Sequence, residues 1–380
     1  MAGRSRQERA VLGLGLVVAL ALGAPAAASK QGAPQPLPRQ VSLAFRRGGE
    51  SRDQLWVAAQ DGTEQRRIST ASERVVTPVG FSPRAGLLAW WSLLRESKRR
   101  AVYGLRVWSV TRGGAPRTIF EDTLASYWEG DAPEFTPDGK SIIFGRATGE
   151  FGAGEKVRDW GLWQIGVAGG RARRLTRGFG TRGGSRSPKL SPDGKLIAFY
   201  GYESEEAGRL CLTRRAGGKV RQYQVWIHDF AWSPGGDSVL VAEAADEDPY
   251  TSRLAACRLR TGRLTRLTDY HGGEGVLAPT FSPDGRRLAY GVGVLGEGAR
   301  DRVRVAEVLP GAKLRKIADI PVGLLGFALF AWLPASDHLL FSARADEAAD
   351  HPVQIWTMRP DGTDRHRVLD DAALAGVFWR

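Results

Sequence analysis

The stretch Leu190-Ser-Pro-Asp-Gly-Lys-Leu-Ile-Ala-Phe-Tyr200 contains the motif that decides the fold. Pro192 fixes its own φ, Asp193 offers a side-chain acceptor to nearby backbone groups, and Gly194 accepts a positive φ, so the chain reverses here. An apolar run typical of a β-strand follows at once. The motif recurs in five other segments: Phe81-Ser-Pro-Arg84, Phe135-Thr-Pro-Asp-Gly139, Trp232-Ser-Pro-Gly-Gly236, Phe281-Ser-Pro-Asp-Gly285 and Trp332-Leu-Pro-Ala335.

The six motif prolines are separated by 54, 55, 42, 49 and 51 residues. Self-similarity with such a period is typical of propellers and solenoids. After each motif come an apolar strand and then a second hairpin around a glycine-containing turn, as at 162–176 and 355–369. Each repeat therefore predicts four antiparallel strands, A to D in chain order, and four such strands make one blade of a β-propeller.

The first repeat lacks a strand A of its own, because it begins at the apolar segment 41–45. The missing strand is predicted at the other end of the chain, where 374–379 has the apolar and aromatic pattern of a strand A. A C-terminal strand in that place would close the ring and remove an exposed edge. We therefore predict one all-β domain over residues 41–380, a seven-bladed β-propeller of four-stranded antiparallel blades closed by the C-terminal strand. Six blades are the alternative, if one of the first two repeats is degenerate.

The first 28 residues have the pattern of a secretory signal peptide. A basic start is followed by an apolar run at 10–23 and by small residues at Ala26 and Ala28, which fit a signal-peptidase site. The alternative is an uncleaved membrane anchor, but the run is short for a membrane span. No cysteine follows it, so a lipid anchor is not expected. We predict a periplasmic or secreted protein with a flexible Pro-rich lead-in at 29–40.

The composition restricts the kinds of functional site that the chain can contain. The chain has 380 residues, of which 42% are hydrophobic, so a wholly disordered protein is excluded. Two cysteines exclude a disulfide framework and a Cys-rich metal site, and five histidines leave little room for a histidine cage. The sequence has no P-loop, H-E-x-x-H motif or convincing dinucleotide fingerprint, so we predict no cofactor and no metal.

The repeated motif and the later hairpin with the pattern L-W…D-G…R-x-L-T resemble the WD40-like PD40 repeats of the TolB propeller. The resemblance covers 41–380 and implies a periplasmic component of the cell envelope. Similar repeats form the propellers of prolyl oligopeptidases and of some polysaccharide lyases. TolB has an α/β domain before its propeller, whereas only twelve residues separate the predicted signal from the first strand here. The peptidases need a G-x-S-x-G motif, and the nearest string, Gly183-Gly-Ser185-Arg-Ser187, lacks the final glycine.

The alternating strand directions place the A–B and C–D turns on one rim and the B–C loops and D–A connections on the other. The second rim has the long irregular segments, with predicted connections at 124–131, 178–187, 225–229 and 270–276. Variable loops on a rigid scaffold commonly carry binding. The candidate binding residues on this rim are Tyr127, Trp128, Asp131, Arg158, Asp159, Arg182, Arg186, Tyr202, His228, Asp229, Tyr250, His271 and Glu274.

Each candidate also has a structural interpretation. Tyr127 and Trp128 could wedge between blades, and His228-Asp229 could face the channel and make only a structural hydrogen bond. His271 and Glu274 could lie in a solvated loop, because glycines surround them.

Basic residues outnumber acidic ones by 54 to 41, and many arginines fall on the predicted outer strands. Such charges protect exposed strand edges, or they attract an anionic envelope polymer or an acidic partner. Nucleic acid is not expected as a partner.

The sequence favours a non-enzymatic scaffold that binds a protein or peptide in the cell envelope. A carbohydrate-active lyase or hydrolase in the channel mouth is the alternative, with His228 and His271 among the few possible acid–base groups. A scaffold that assembles with other chains is a third possibility, and no catalytic residue is assigned.

Cys211 and Cys257 are predicted as two separate buried thiols. A disulfide is the alternative, since strand parity could place both sulfurs in one gap between blades.

Overall fold

The structure, a computed structural model, describes residues 42–48, 53–97, 100–122, 132–148, 159–176, 185–202, 208–245, 251–294, 300–309, 313–322, 330–335, 337–344 and 352–378. The predicted signal peptide and lead-in lie outside these ranges. Every regular element within them is a β-strand. In the same ranges we find no helix with the length and apolar character that crossing a membrane requires.

The strands of the first half of the chain are β1 (Ser42–Arg47), β2 (Gln54–Ala59), β3 (Arg66–Arg67), β4 (Arg74–Val75), β5 (Gly80–Ser82), β6 (Leu87–Ser97), β7 (Arg100–Ser109), β8 (Gly113–Asp122), β9 (Glu134–Phe135), β10 (Ser141–Thr148), β11 (Asp159–Gly166), β12 (Arg173–Arg174), β13 (Ser185–Leu190) and β14 (Leu196–Tyr202). Those of the second half are β15 (Gly208–Arg214), β16 (Arg221–Trp232), β17 (Ser238–Ala244), β18 (Ser252–Arg258), β19 (Leu264–Arg266), β20 (Glu274–Phe281), β21 (Arg287–Val294), β22 (Arg302–Leu309), β23 (Lys313–Pro321), β24 (Phe330–Trp332), β25 (Leu339–Ala343), β26 (Gln354–Met358), β27 (His366–Leu369) and β28 (Ala373–Phe378).

These strands form six antiparallel sheets, and each sheet follows the order of the predicted repeats. Four sheets have four strands: β28-β1-β2-β3, β9 to β12, β20 to β23 and β24 to β27. A fifth contains β6, β7 and β8, with β4 and β5 both paired to β6. The sixth has seven strands, β13 to β19, because β16 is the last strand of one repeat and the first strand of the next. The predicted connection at 225–229 is therefore wrong, since β16 is continuous there.

The two ends of the described chain meet in one sheet. Strand β28 pairs antiparallel with β1, from Ser42 opposite Phe378 to Arg46 opposite Ala373. Phe378 is buried, and its ring lies 5.8 Å from that of Phe81 in the following repeat. The C-terminal strand thus occupies the place that the sequence analysis assigns to the missing strand A.

The core consists of layers between neighbouring repeats. One layer holds the rings of Trp91, Phe120 and Phe144, whose centroids lie 5.5–6.2 Å apart in tilted and edge-on arrangements. Such ring pairs stabilise the fold beyond the effect of their buried area.

Cys211 and Cys257 are both buried free thiols, and they pack in two different layers. The prediction of separate thiols is therefore confirmed, and the alternative of a shared gap is wrong.

The repeated motif forms the predicted turn. In the motif at 190–194, the Ser191 hydroxyl donates to Oδ1 of Asp193 at 2.7 Å, and the Lys195 amide donates to the same oxygen at 3.1 Å. Gly194 has a φ of +67°. The hydroxyl–carboxylate hydrogen bond recurs between Thr136 and Asp138, and between Ser282 and Asp284.

The motif also joins one repeat to the next. A Cβ added to Gly194 would lie 2.3 Å from Cγ of Pro137, the motif proline of the preceding repeat. At Gly285 the added atom would lie 2.7 Å from Pro234 in the same way. Glycine is therefore required both for the turn and for the contact between repeats.

Both kinds of turn lie together on one side of the molecule. The amide of Val167, in a C–D turn, donates to the carbonyl of Lys140 in the A–B turn of the same repeat. In another repeat, the amide of Val308 donates to the carbonyl of Arg286. We call the A–B turns near 83–86, 137–140, 192–195, 234–237 and 283–286, with the C–D turns near 60–63, 110–113, 167–170, 215–218, 259–262 and 360–363, the turn rim. The opposite strand ends, which border the B–C loops and D–A connections, form the long-loop rim.

Candidate functional site

The first strands of several repeats are interrupted by a β-bulge at the same place. Pairing skips residues 187–188 in β13, 228–229 in β16 and 278–279 in β20. The bulges of β13 and β20 each contain a proline, whereas that of β16 contains His228 and Asp229. A bulge bends a strand and redirects its side chains, and bulges are common beside functional sites.

Glu134, Lys189 and Asp229, from three neighbouring repeats, lie on these first strands, and we call them, with the adjacent His228, the inner cluster. The Lys189 ammonium lies 3.3 Å from Oδ1 of Asp229 and donates to the Phe230 carbonyl at 2.5 Å. Glu134 accepts the amide of Leu190 at 3.0 Å. The cluster therefore links β9, β13 and β16 by hydrogen bonds and charge.

The Glu134 carboxyl has a shifted pKa. Burial raises its pKa to about 7, although the Leu190 amide and the Lys189 charge both work in the opposite direction. Burial disfavours the ionised form, because a carboxylate loses more hydration than a neutral carboxyl. This group can therefore gain or lose a proton near neutral pH.

His228 and Asp229 are held by different groups. The Tyr200 hydroxyl donates to the backbone carbonyl of His228, and its ring lies 5.2 Å from Phe230. Asp229 Oδ1 accepts the Phe230 amide at 2.7 Å in addition to its ion pair with Lys189. These two contacts hold the Asp229 carboxylate in place, which fits a positioning role for Asp229.

Glu274 begins β20 and forms two hydrogen bonds with the Arg304 guanidinium, at 3.0 and 3.3 Å. Arg304 also lies 3.3 Å from Asp319, which accepts a hydrogen bond from Arg302 at 2.5 Å. The solvated-loop interpretation therefore fails for Glu274. It fits His271, which is exposed and accepts the Glu274 amide through its backbone carbonyl.

Similar ion pairs fix strand ends elsewhere on the long-loop rim. Arg146 donates to Asp122 at 2.5 Å and lies over the rings of Phe120 and Trp163. The other pairs are Arg46–Asp53, Arg95–Glu121 and Arg253–Glu243. The strands that border the long segments are therefore braced by charge.

Several predicted candidates are not tested by the structure. Tyr127, Trp128, Asp131, Arg158, Arg182 and Tyr250 lie outside the described residues. Asp159, Arg186 and Tyr202 lie in β11, β13 and β14, but only their backbones are described. Across the described ranges, no three His, Cys, Asp or Glu side chains are grouped so that they could hold a metal ion.

Sequence reasoning missed Glu134 and Lys189. Each stands one residue before the first motif position, where other repeats have Gly80, Ala231 and Thr280. A charged residue at a position that is otherwise small or neutral was the signal that could have identified both.

No protein-family model matches the chain. The uncharacterized protein Atu1656 of Agrobacterium fabrum is 30% identical to it over 227 residues, which are 56% of this chain and 68% of that protein. A TolB homolog of Chlorobium luteolum is 33% identical over 133 residues, which are 34% of this chain and 28% of the homolog. The chain thus matches less than a third of the second relative's length.

Prolyl oligopeptidase B from Galerina marginata has a similar fold, with a TM-score of 0.62 over 88% of this chain and 49% of that chain. The two are 11% identical, so this likeness concerns the fold alone. The fold is therefore all-β and propeller-like, and the PD40 assignment itself has no matching family model. The chain is homologous to TolB-like proteins, and it belongs to the family of the Agrobacterium fabrum protein Atu1656.

Proposed function

We propose that this chain is a periplasmic, non-enzymatic propeller whose long-loop rim binds a protein or peptide partner in the cell envelope. The proposed ring has seven blades, with β16 shared by two of them and β28 serving as the first strand of the first blade. The pairing of β28 with β1 supports ring closure. Homology to TolB-like proteins and the signal-like first 28 residues support the location.

The observation that carries the proposal is the bracing of the long-loop rim. Ion pairs such as Arg146–Asp122 and Arg304–Glu274 fix strand ends at the bases of long segments that differ from repeat to repeat. Rigid strand ends that carry variable segments are the usual architecture of a binding surface. The turn rim, by contrast, consists of short turns, and its A–B turns repeat one hydroxyl–carboxylate hydrogen bond.

The charge chemistry of this rim also favours binding over catalysis. Burial works against ionisation of Asp319, yet Arg302 and Arg304 hold its pKa below the ordinary value. A carboxylate kept ionised by arginines cannot donate a proton near neutral pH, as a lyase or hydrolase would require of a general acid. Outside this rim, Glu134 of the inner cluster has a raised pKa, but its carboxyl accepts a hydrogen bond from the Leu190 amide.

A pull-down with residues 29–380 tests the proposal. Tyr127→Ala/Trp128→Ala should lose a partner that the unmodified chain captures from envelope extract, because aromatic anchors carry much of an interface's energy. The matched control is Thr63→Ala/Thr363→Ala on the turn rim, where each threonine only caps a turn aspartate. Circular dichroism confirms that both variants fold.

A partner retained by the first variant and lost by the control would contradict binding at the long-loop rim. Release of sugar fragments from envelope polysaccharide by the unmodified chain, and not by a His228→Ala variant, would replace the proposal with the carbohydrate-active alternative.

A further inference from the structure

The turn rim has an uneven charge. Three consecutive C–D hairpins, within 161–176, 208–228 and 252–268, contain no acidic residue. Ten exposed basic residues lie there, and we call them the basic sector: Arg171, Arg173, Arg214, Arg215, Lys219, Arg221, Arg258, Arg260, Arg263 and Arg266. The C–D turns near the chain ends differ, because they mix arginines with Asp61, Glu64, Asp361 and Asp364.

The three turns are physically joined. Arg173 donates to the carbonyl of Ala216 in the next turn at 3.0 Å, and the Gly218 amide donates to Leu175 at 3.1 Å. In the same way, Arg221 donates to the carbonyl of Arg260 at 3.4 Å, and the Tyr223 hydroxyl donates to Leu259 at 2.8 Å. The basic sector is therefore one continuous surface across three repeats, and it is fixed in place.

Few acidic groups face this surface. Asp138, Asp193 and Asp237 stand in the neighbouring A–B turns, where Asp138 interacts with Arg215 and Asp193 pairs with Lys195. Each of these aspartates is already hydrogen-bonded inside its own turn. Within the described part of the chain, no side chain of the basic sector lies within 4 Å of a carboxylate. The positive charge is therefore left for an external partner.

We infer that the basic sector binds a linear anionic polysaccharide along the edge of the ring. Packed sheets lie roughly 10 Å apart, so three joined turns offer an arc of roughly 20 Å or more. Nine of the ten groups are guanidinium groups, whose planar donors suit carboxylate and sulfate oxygens. A polymer with one carboxylate on every sugar presents a row of acceptors to the guanidinium groups of the three joined turns. This surface is separate from the proposed long-loop site.

The surface chemistry favours a polysaccharide over an acidic protein. Protein interfaces depend on aromatic or large apolar anchors at their centre. Among the described residues, the large hydrophobic side chain that is exposed is Ile317, on β23 outside the sector. Binding in the sector therefore rests on charge, and it should weaken steeply with added salt.

Fluorescence anisotropy with a labelled alginate oligomer of about twenty sugars tests the inference. Arg171→Gln/Arg215→Gln/Arg263→Gln removes one charge from each turn, and we expect Kd to rise at least about tenfold at low salt, with a shallower salt dependence. The matched control is Arg315→Gln/Arg359→Gln/Arg367→Gln, which removes the same charge from exposed arginines that already pair with carboxylates. It should change Kd less than about twofold.

An equal rise in Kd in the two variants would overturn the inference, because binding would then follow net charge alone. No binding of alginate by the unmodified chain at low salt would also overturn it. Poly-glutamate or DNA of matched charge that binds at least about tenfold tighter than alginate would replace the polysaccharide with a protein or nucleic-acid partner. These readouts do not involve the long-loop rim, so they remain independent of the proposed function.

Discussion

The turn rim and the long-loop rim hold the same strands together by different means. On the turn rim one contact is repeated, in which a motif glycine packs on the motif proline of the preceding repeat, as Gly194 does on Pro137. On the long-loop rim several repeats have ion pairs of their own, such as Arg146–Asp122 and Arg304–Glu274. A repeated contact needs turns of similar geometry, whereas ion pairs allow each loop to vary.

The carboxyl groups of the turn rim and of the inner cluster also differ. On the turn rim, hydrogen bonds from the Ser191 hydroxyl and the Lys195 amide lower the pKa of Asp193 to about 2. At the inner cluster, burial raises the pKa of Glu134 to about 7. Asp193 is thus a structural acceptor that stays ionised near neutral pH, whereas Glu134, on a first strand, can gain or lose a proton there.

The largest effect is expected where the two chain ends meet. Deleting residues 374–380 removes most of β28, its ladder with β1 and the buried Phe378 ring. Strand hydrogen bonds and apolar burial are lost together, so the free energy of unfolding should fall by several kcal/mol, on the order of 5. Thermal unfolding measures the loss, and deletion of 29–40 is the control. An unchanged Tm in the first variant would show that the ring does not depend on this strand.

A smaller effect tests the repeated contact of the turn rim. Gly194→Ala would force a Cβ to within 2.3 Å of Pro137, at a φ of +67°. Gly114→Ala is the control, because Gly114 also has a positive φ, of +82°, but an added Cβ meets nothing within 4 Å. Both variants carry backbone strain, and the first should be less stable by about a further 2 kcal/mol in denaturant unfolding. Equal losses would mean that the turn matters and the contact between repeats does not.

The inner cluster should make stability depend on pH. Between the ordinary carboxyl pKa of 4.5 and about 7, the folded chain holds a proton on Glu134 that the unfolded chain has released. The free energy of unfolding therefore falls as pH rises through this window. Glu134→Gln removes the titration, so relative to the unmodified chain it should gain about 2 kcal/mol between pH 5 and pH 8. A constant difference across this range in denaturant unfolding would contradict the raised pKa.

Sequence reasoning reaches the turn rim more fully than the long-loop rim, for a physical reason. The Asp-Gly turn is formed by contacts within five consecutive residues, so Ser191, Asp193 and Gly194 predict it from the local sequence. The contact of Gly194 with Pro137 joins residues 57 positions apart, and only the regular spacing of the repeats hints at it. The pairing of Glu274 with Arg304, and of Lys189 with Asp229, depends on which strands face each other. No local pattern encodes that, so those partners could not be named.

The smallest expected effect separates buried from exposed ion pairs on the long-loop rim. The Asp122 side chain is 4% exposed in its pair with Arg146, whereas the Arg95–Glu121 side chains are 67% and 46% exposed. Arg146→Met keeps an apolar side chain near the rings of Phe120 and Trp163 but removes the cation that compensates the buried Asp122 carboxylate.

We expect Arg146→Met to lower the free energy of unfolding by about 1–2 kcal/mol, and Arg95→Met by less than about 0.5 kcal/mol. Urea unfolding of the two variants under one buffer condition makes the comparison. Adding Asp122→Asn to Arg146→Met should recover part of the loss, since the buried charge that paired with Arg146 is then gone. If both single variants lose the same small amount and the double variant recovers nothing, the ion pairs do not brace the rim, and its loops must be held by other contacts.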